Sequence, residues 1–210
     1  MNRHVRTVIL WATIASVFFL HSSCATLQQM AAAMNNLLRL QFKVGQVHDF
    51  TLNGINLSRK SSIGDFNALD ALRLVQAFAT KRFPADIVLD IQAINPNDGR
   101  GGSRQTVSTL TSLESRLLID GVPTVTGNID RPIEIPGTGQ ASTIPLRMSI
   151  DLYEFFGNKG YEGVMNLALA IGGMNRDPAR VSLDAQPRVS TPIGPVVYPG
   201  RLTIVSHEFR

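Results

Sequence analysis

The 210-residue sequence predicts a mainly β domain, an antiparallel β-sandwich with two accessory helices. Three observations lead there. Roughly seven or eight short runs alternate apolar and polar residues with a period of two, and turn residues punctuate them. Only two segments carry the 3.6-residue period of a helix, whereas a βαβ fold needs a helix after nearly every strand. An apolar share of 44% and a mean hydropathy of +0.07 exclude a fully disordered chain.

The chain opens with a short basic stretch, Met1 to Arg6, and then runs without a charge from Thr7 to Leu20, the pattern of an export signal. A membrane-spanning helix takes roughly 20 apolar residues, so this shorter run is expected to be removed rather than to remain as a span. Next, Leu20-His21-Ser22-Ser23-Cys24-Ala25 resembles a bacterial lipoprotein processing site, in which small residues precede a Cys that becomes the acylated N-terminus. That resemblance implies a signal peptide over 1–23, a covalent lipid such as palmitate on Cys24, and a lipidated tether over 24–37. More than one acyl chain gives stable anchoring, and Ala25 in place of Asp looks like the outer-membrane form of the sorting signal. The alternative is an unpaired Cys in a generic secreted protein.

Losing the signal removes Arg3 and Arg6 and leaves 18 basic against 16 acidic residues. From residue 39 onward these charges are interleaved, so the basic stripe of a nucleic-acid binder is missing, and no nucleic-acid partner is expected. Arg59-Lys60, set among serines, reads as a solvated loop.

The domain is assigned to 38–210. Leu38, Leu40, Phe42 and Val44 alternate with polar residues as a half-buried strand, Gly45 suggests a bulge, and Asn53-Gly54 a tight turn. Over 65–80, Phe66, Leu69, Leu72, Val75 and Ala79 form one helical face that Leu74 and Phe78 widen, with Asp65 as N-cap. Ile87, Leu89, Ile91 and Ala93 mark a central strand stopped by Asn95-Pro96-Asn97-Asp98-Gly99, a strong turn signal. Leu113, Leu117 and Ile119 belong to the next strand, turned at Gly121-Val122-Pro123 and returning over 125–129. Ile133 to Gly137 is a short edge piece, where Pro132 and Pro136 are tolerated. Ile144, Leu146, Met148 and Ile150 alternate most cleanly of all. A second helical segment over 152–171 is broken between Gly157 and Gly160 and closed by Gly172-Gly173. Val181, Leu183 and Ala185, then Leu202 and Ile204, are the last strands, with a Pro-rich run, 187–199, between them.

Little in the mature chain suggests catalysis. One Cys cannot form an internal disulfide, and His48 and His207 lack the spacing of a metal site, so neither metal nor cofactor is expected beyond the lipid on Cys24. The Asn95–Gly102 loop has no Glu at the twelfth position of a calcium loop and no Gly-Lys-Ser/Thr ending of a phosphate loop. No Gly-x-Ser-x-Gly elbow occurs, although a Ser/His/Asp site assembles in space and sequence spacing leaves it open. The expectation is a non-enzyme. Met148, Phe155, Phe156 and Met165, with Met174, either fill the core or line a groove for an acyl chain.

The order of these elements resembles a known family. A strand, a helix and a strand ending in Asn95-Pro96-Asn97 are followed by Leu117-Leu118-Ile119-Asp120-Gly121, a return through Thr126-Gly127, and Ile133-Glu134-Ile135-Pro136 before Thr143-Ile144-Pro145-Leu146. This pattern is similar to the late embryogenesis abundant type 2 family, which carries the water-stress and hypersensitive-response (WHy) domain, and most to its bacterial lipoproteins. The likeness covers most of 38–155 and includes Tyr198-Pro199-Gly200. It implies a sandwich related in shape to fibronectin type III and immunoglobulin-like domains, and a non-enzymatic role in desiccation or envelope stress. The expected partners are the membrane, through the anchor, and envelope client proteins or lipids. A lipid-carrying module with an acyl chain between sandwich and helices is the alternative. Neither reading fixes an oligomeric state.

Overall fold

The alternating runs pair into two antiparallel sheets. The computed structural model describes residues 27–100, 105–191 and 194–210, so the segment expected to be an export signal, 1–23, and Cys24 lie outside the described residues. In chain order the strands are β1 (Gln41–Leu52), β2 (Ile55–Asn56), β3 (Pro84–Ile94), β4 (Ser108–Ile119), β5 (Val122–Gly127), β6 (Ile133–Ile135), β7 (Ala141–Asp151), β8 (Val181–Thr191), β9 (Gly194–Val197) and β10 (Leu202–Ile204). One sheet has the order β2-β1-β3-β7 and the other β10-β8-β4-β5, with β6 also on β4 and β9 also on β8.

Period-two alternation puts one side of each strand between the sheets. Ile87, Leu89, Ile91 and Ala93 of β3 and Ile144, Leu146 and Ile150 of β7 are buried, as are Leu113, Leu117 and Ile119 of β4 and Leu183 and Ala185 of β8. Each large side chain among them stabilises the fold by about 1.5–3 kcal/mol relative to its exposed state. Two hairpins close on paired left-handed residues, Asn53-Gly54 at φ 49° and 77° and Asp120-Gly121 at φ 50° and 78°, as tight turns between right-twisted strands require. The second turn is therefore one residue earlier than Gly121-Val122-Pro123, and Val122 already pairs with Ile119.

β1 departs twice from regular pairing. Between Val44 and Val47, and again between His48 and Thr51, two residues stand opposite one on β3. Each bulge shifts the inward parity by one position, so Phe42, Val44, Val47, Phe50 and Leu52 all remain buried. The outer edge of β1 is covered by the C-terminal segment: Val44 N–H donates to Val205 O at 2.9 Å, and Arg210 N–H to Phe42 O at 2.9 Å.

Four α-helices occur among the described residues. The first, α1, covers 27–38, so the segment expected to be a tether is helical there, and β1 begins at Gln41 rather than at Leu38. α2 (Ala68–Ala79) is capped by Asn67, whose side chain accepts from Asp70 N–H at 2.8 Å. Asp65 is not that cap. It closes a preceding 3-10 turn, accepting from Ser61 N–H at 2.6 Å and Ser62 N–H at 2.9 Å, and these bonds, Ser61 first, hold its carboxyl down at about 2. α3 (Leu152–Phe156) and α4 (Gly160–Gly172) flank the Gly157–Lys159 turn, matching the interrupted segment at 152–171.

The Pro-rich run is not a link throughout. β8 continues to Thr191 with Pro187 opposite Leu113, beside a bulge at Thr111, which is where a residue without an N–H can sit in a sheet.

Candidate functional site

β3 sets the long axis of the domain. Its last residue pairs with Gln41, just after α1, and its first follows α2 by a few residues, so α1 and α2 sit at opposite ends, separated by about 33 Å of strand rise.

At the α1 end the chain leaves β3 through Asn95-Pro96-Asn97. Both asparagines are fully buried. The Asn95 side-chain amide donates to Thr106 O at 2.8 Å, Ile135 O at 3.0 Å and Ser108 Oγ at 3.3 Å. Its Oδ1 accepts from Asn97 N–H at 3.1 Å and Asn97 Nδ2 at 2.8 Å. One side chain thus joins the end of β3, the start of β4 and the edge strand β6, and Asn97 Nδ2 reaches on to Asn36 O of α1 at 3.3 Å. Gly137 must be glycine because a Cβ there would strike the carbonyls of Asn97 and Thr106. The motif is a structural corner, and its buried polar groups need these bonds.

Met148, Phe156 and Met165 are buried among the core side chains, and Phe155 packs against that core from a partly exposed position. Met174 is exposed. Phe156 and Met165 are buried because α3 and α4 close over one end of the sandwich, whereas Met148 lies on β7 against Gly127 of β5. Asp151 caps α3 by accepting from Tyr153 N–H at 2.9 Å and also accepts from Phe83 N–H at 2.9 Å. Phe78 of α2 stacks edge-on against Phe83, Tyr153 and Tyr161, with ring centroids 5.0–5.7 Å apart, and burial pushes the Tyr161 hydroxyl up.

That aromatic cluster decides which side of α2 is buried. Leu74 is buried, and Ala77 and Phe78 pack against the core. The stripe Leu69, Leu72 and Val75, expected to face inward, is 58%, 63% and 49% exposed. The helix therefore has two apolar sides, and the outer one is bare.

The second bulge of β1 builds a polar site that sequence spacing did not reveal. Asp49 takes a left-handed backbone at φ 50°, uncommon for a residue other than Gly, and its carboxylate lies 3.1 Å from His48 Nδ1. Asp90 meets Nε2 from β3 at 3.0 Å. Burial alone would lower the imidazole, but hydrogen bonds and charge from Asp90 and Asp49 outweigh it and raise the His48 pKa. With a carboxylate on each ring nitrogen, His48 has no acceptor free for a hydroxyl. Nearby Ser149 instead hydrogen-bonds to Asp86, at 2.5 Å, so these residues do not form a nucleophilic triad. His207 is exposed beside Glu208 at 3.6 Å. Among the described residues no group of three or more His, Cys, Asp or Glu could hold a metal ion, and no helix is long and apolar enough to cross a membrane.

Asn128, just past the end of β5, holds the chain by its side chain. Its Oδ1 accepts from Leu113 N–H at 2.7 Å, from Ile129 N–H at 2.8 Å and from Ser112 Oγ at 3.2 Å, which continues the β4 ladder past the end of β5.

No family model matches the chain, and no curated protein does either. Among solved structures, the chain is similar to a solution structure described as a late embryogenesis abundant (LEA) protein, with 13% sequence identity, 96% of this chain and 90% of that one covered, and a TM-score of 0.33.

Proposed function

We propose that the chain is a non-catalytic, LEA type 2-like lipoprotein, held in the cell envelope by acyl chains on Cys24, that binds and shields envelope proteins during desiccation or envelope stress. The bare outer side of α2 carries this reading. Leu69, Leu72 and Val75 form a row at helical spacing that no other part of the described chain covers, and a row of exposed large apolar residues is a feature of binding surfaces. It lies at the end of β3 remote from the tether, so an anchored domain holds it out from the membrane, toward soluble clients. Those clients are proteins whose own apolar segments become exposed as water is withdrawn. A tethered domain is concentrated at one surface, which lets weak contacts count.

The test is protection of a dehydration-sensitive enzyme from aggregation, with the wild type compared with Leu69→Gln/Leu72→Gln/Val75→Thr. Protection should fall at least about fivefold per mole while the melting temperature is kept, since the side chains are already solvated. Equal protection by the variant, or by an unrelated sandwich domain, refutes the reading. Labelling with a palmitate analogue, with Cys24→Ala as control, checks the anchor separately.

A further inference from the structure

The helix at the tether end has an apolar side of its own. In α1, Leu27, Met30, Ala31, Met34, Leu37 and Leu38 fall together at helical spacing, with Gln28, Gln29 and Asn36 away from that row. Leu37 is buried against the domain, but Leu27, Met30 and Leu38 are 66%, 52% and 43% exposed. Beside them Val107 is exposed too, on the rim of a shallow recess it shares with Ala33 and Leu37. From Ala25 to Leu38 the chain has no charged residue.

From these observations we infer that α1 lies flat on the phospholipid surface, its Leu27–Met30–Leu38 side sunk at the boundary between headgroups and acyl chains. This inference rests on the anchored reading, through the distance to Cys24. Only Ala25 and Thr26 lie between Cys24 and Leu27, so over those three steps even a fully extended chain spans only about 11 Å. An acylated Cys24 therefore keeps the start of α1 within or just above the headgroup layer, which is about 5–8 Å thick on each face of a bilayer. A helix held there can stand up or lie down. The apolar row runs along the whole of α1, about 18 Å, and only the flat orientation buries all of it. Because its polar side is neutral, Gln and Asn rather than Lys and Arg, the contact needs no anionic lipid and is insensitive to salt.

The contact is testable with a tryptophan reporter in full-length protein carrying Trp11→Phe, which leaves an introduced Trp as the only one. Met30→Trp, Gln28→Trp and Leu72→Trp are each purified from membranes and placed in phosphatidylcholine vesicles whose acyl chains carry bromine, a short-range quencher. Expected is at least about twofold quenching and a blue shift for Met30→Trp, unchanged by 0.5 M salt, with Gln28→Trp and Leu72→Trp near their unquenched intensity. Equal intensities at positions 28 and 30 overturn the inference. So does a Met30→Trp blue shift that appears without vesicles in a protein sedimenting as a dimer, because a second copy then covers the row. The intact mass of each sample reports acylation independently. An acylated protein without quenching at position 30 sinks the helix contact and leaves the anchor standing. An unacylated protein that still binds added vesicles through position 30 sinks the anchor and upholds the contact, and one that does not bind them overturns both. Matching circular dichroism melts confirm that the variants fold.

Discussion

Asn95 offers the sharpest stability experiment. In Asn95→Ala the carbonyls of Thr106 and Ile135 and the N–H of Asn97 lose a partner that is now at 2.8, 3.0 and 3.1 Å. Each orphaned buried group costs about 1–3 kcal/mol, so three of them at the low end amount to about 3 kcal/mol, or about 6–12 °C in melting temperature for a domain of this size. Asn95→Asp keeps the shape and reverses the polarity, turning a carboxylate toward two carbonyl oxygens. Burial and those oxygens raise the new carboxyl above its unfolded value near 4, so the penalty is small below about pH 4 and complete once the pH passes the folded value. Urea denaturation followed by circular dichroism reads both. An Asn95→Ala loss below about 1 kcal/mol, or an Asn95→Asp variant as stable at pH 7 as at pH 4, refutes the assignment of the corner as a polar hub.

Two further outcomes follow from the fold. Leu74→Ala should cost about 2–5 kcal/mol by opening a cavity, while Leu72→Ala, one face away, should stay within about 0.5 kcal/mol; the reverse order in chemical denaturation would show α2 rotated. His48 has a raised pKa, so the stability it adds is fully present below its ordinary value of 6.5 and is lost as pH rises through the folded value. The gap between wild type and His48→Gln should then be widest in mildly acid solution and close above neutrality. A constant gap from pH 5 to 9, or an NMR titration of the ring below 6.5, removes the pairing with Asp49 and Asp90.

Much of the sandwich was legible because β7, and β3 apart from the buried Val88, bury one side only, which writes itself as alternation at Ile87–Ala93 and Ile144–Ile150. The turns at Asn53-Gly54 and Asn95–Gly99 were legible for a different reason, since their residue types suit left-handed or side-chain-bonded backbone. The facing of α2 was not. Periodicity finds an apolar row, and this helix has two; the choice between them is made by Phe83, just past the helix, and by Tyr153 and Tyr161, which arrive from a distant part of the chain. The strand through Pro187 was hidden because its tolerance depends on a bulge in the neighbouring strand. The His48 site was hidden likewise, since only the irregular turn of the backbone at Asp49 brings that carboxylate onto the ring, and Asp90 comes from another strand. The corner asparagines were singled out as a turn; that they are buried and hold β4, β6 and α1 together follows from pairings that no local pattern encodes.

The bonds from Phe42 and Val44 to residues 205–210 have a consequence for biogenesis. The first long strand finds the cover for its outer edge only in the last segment of the domain, so a chain emerging from its N-terminus presents β1 with that edge open until synthesis has passed residue 205. Closure between such distant parts of the chain is slow, and until it happens the open edge is a template for pairing with other strands. A chain that cannot seal itself early is exposed to such pairing for the whole of its synthesis, so its safe folding turns on how quickly its last residues reach its first strand.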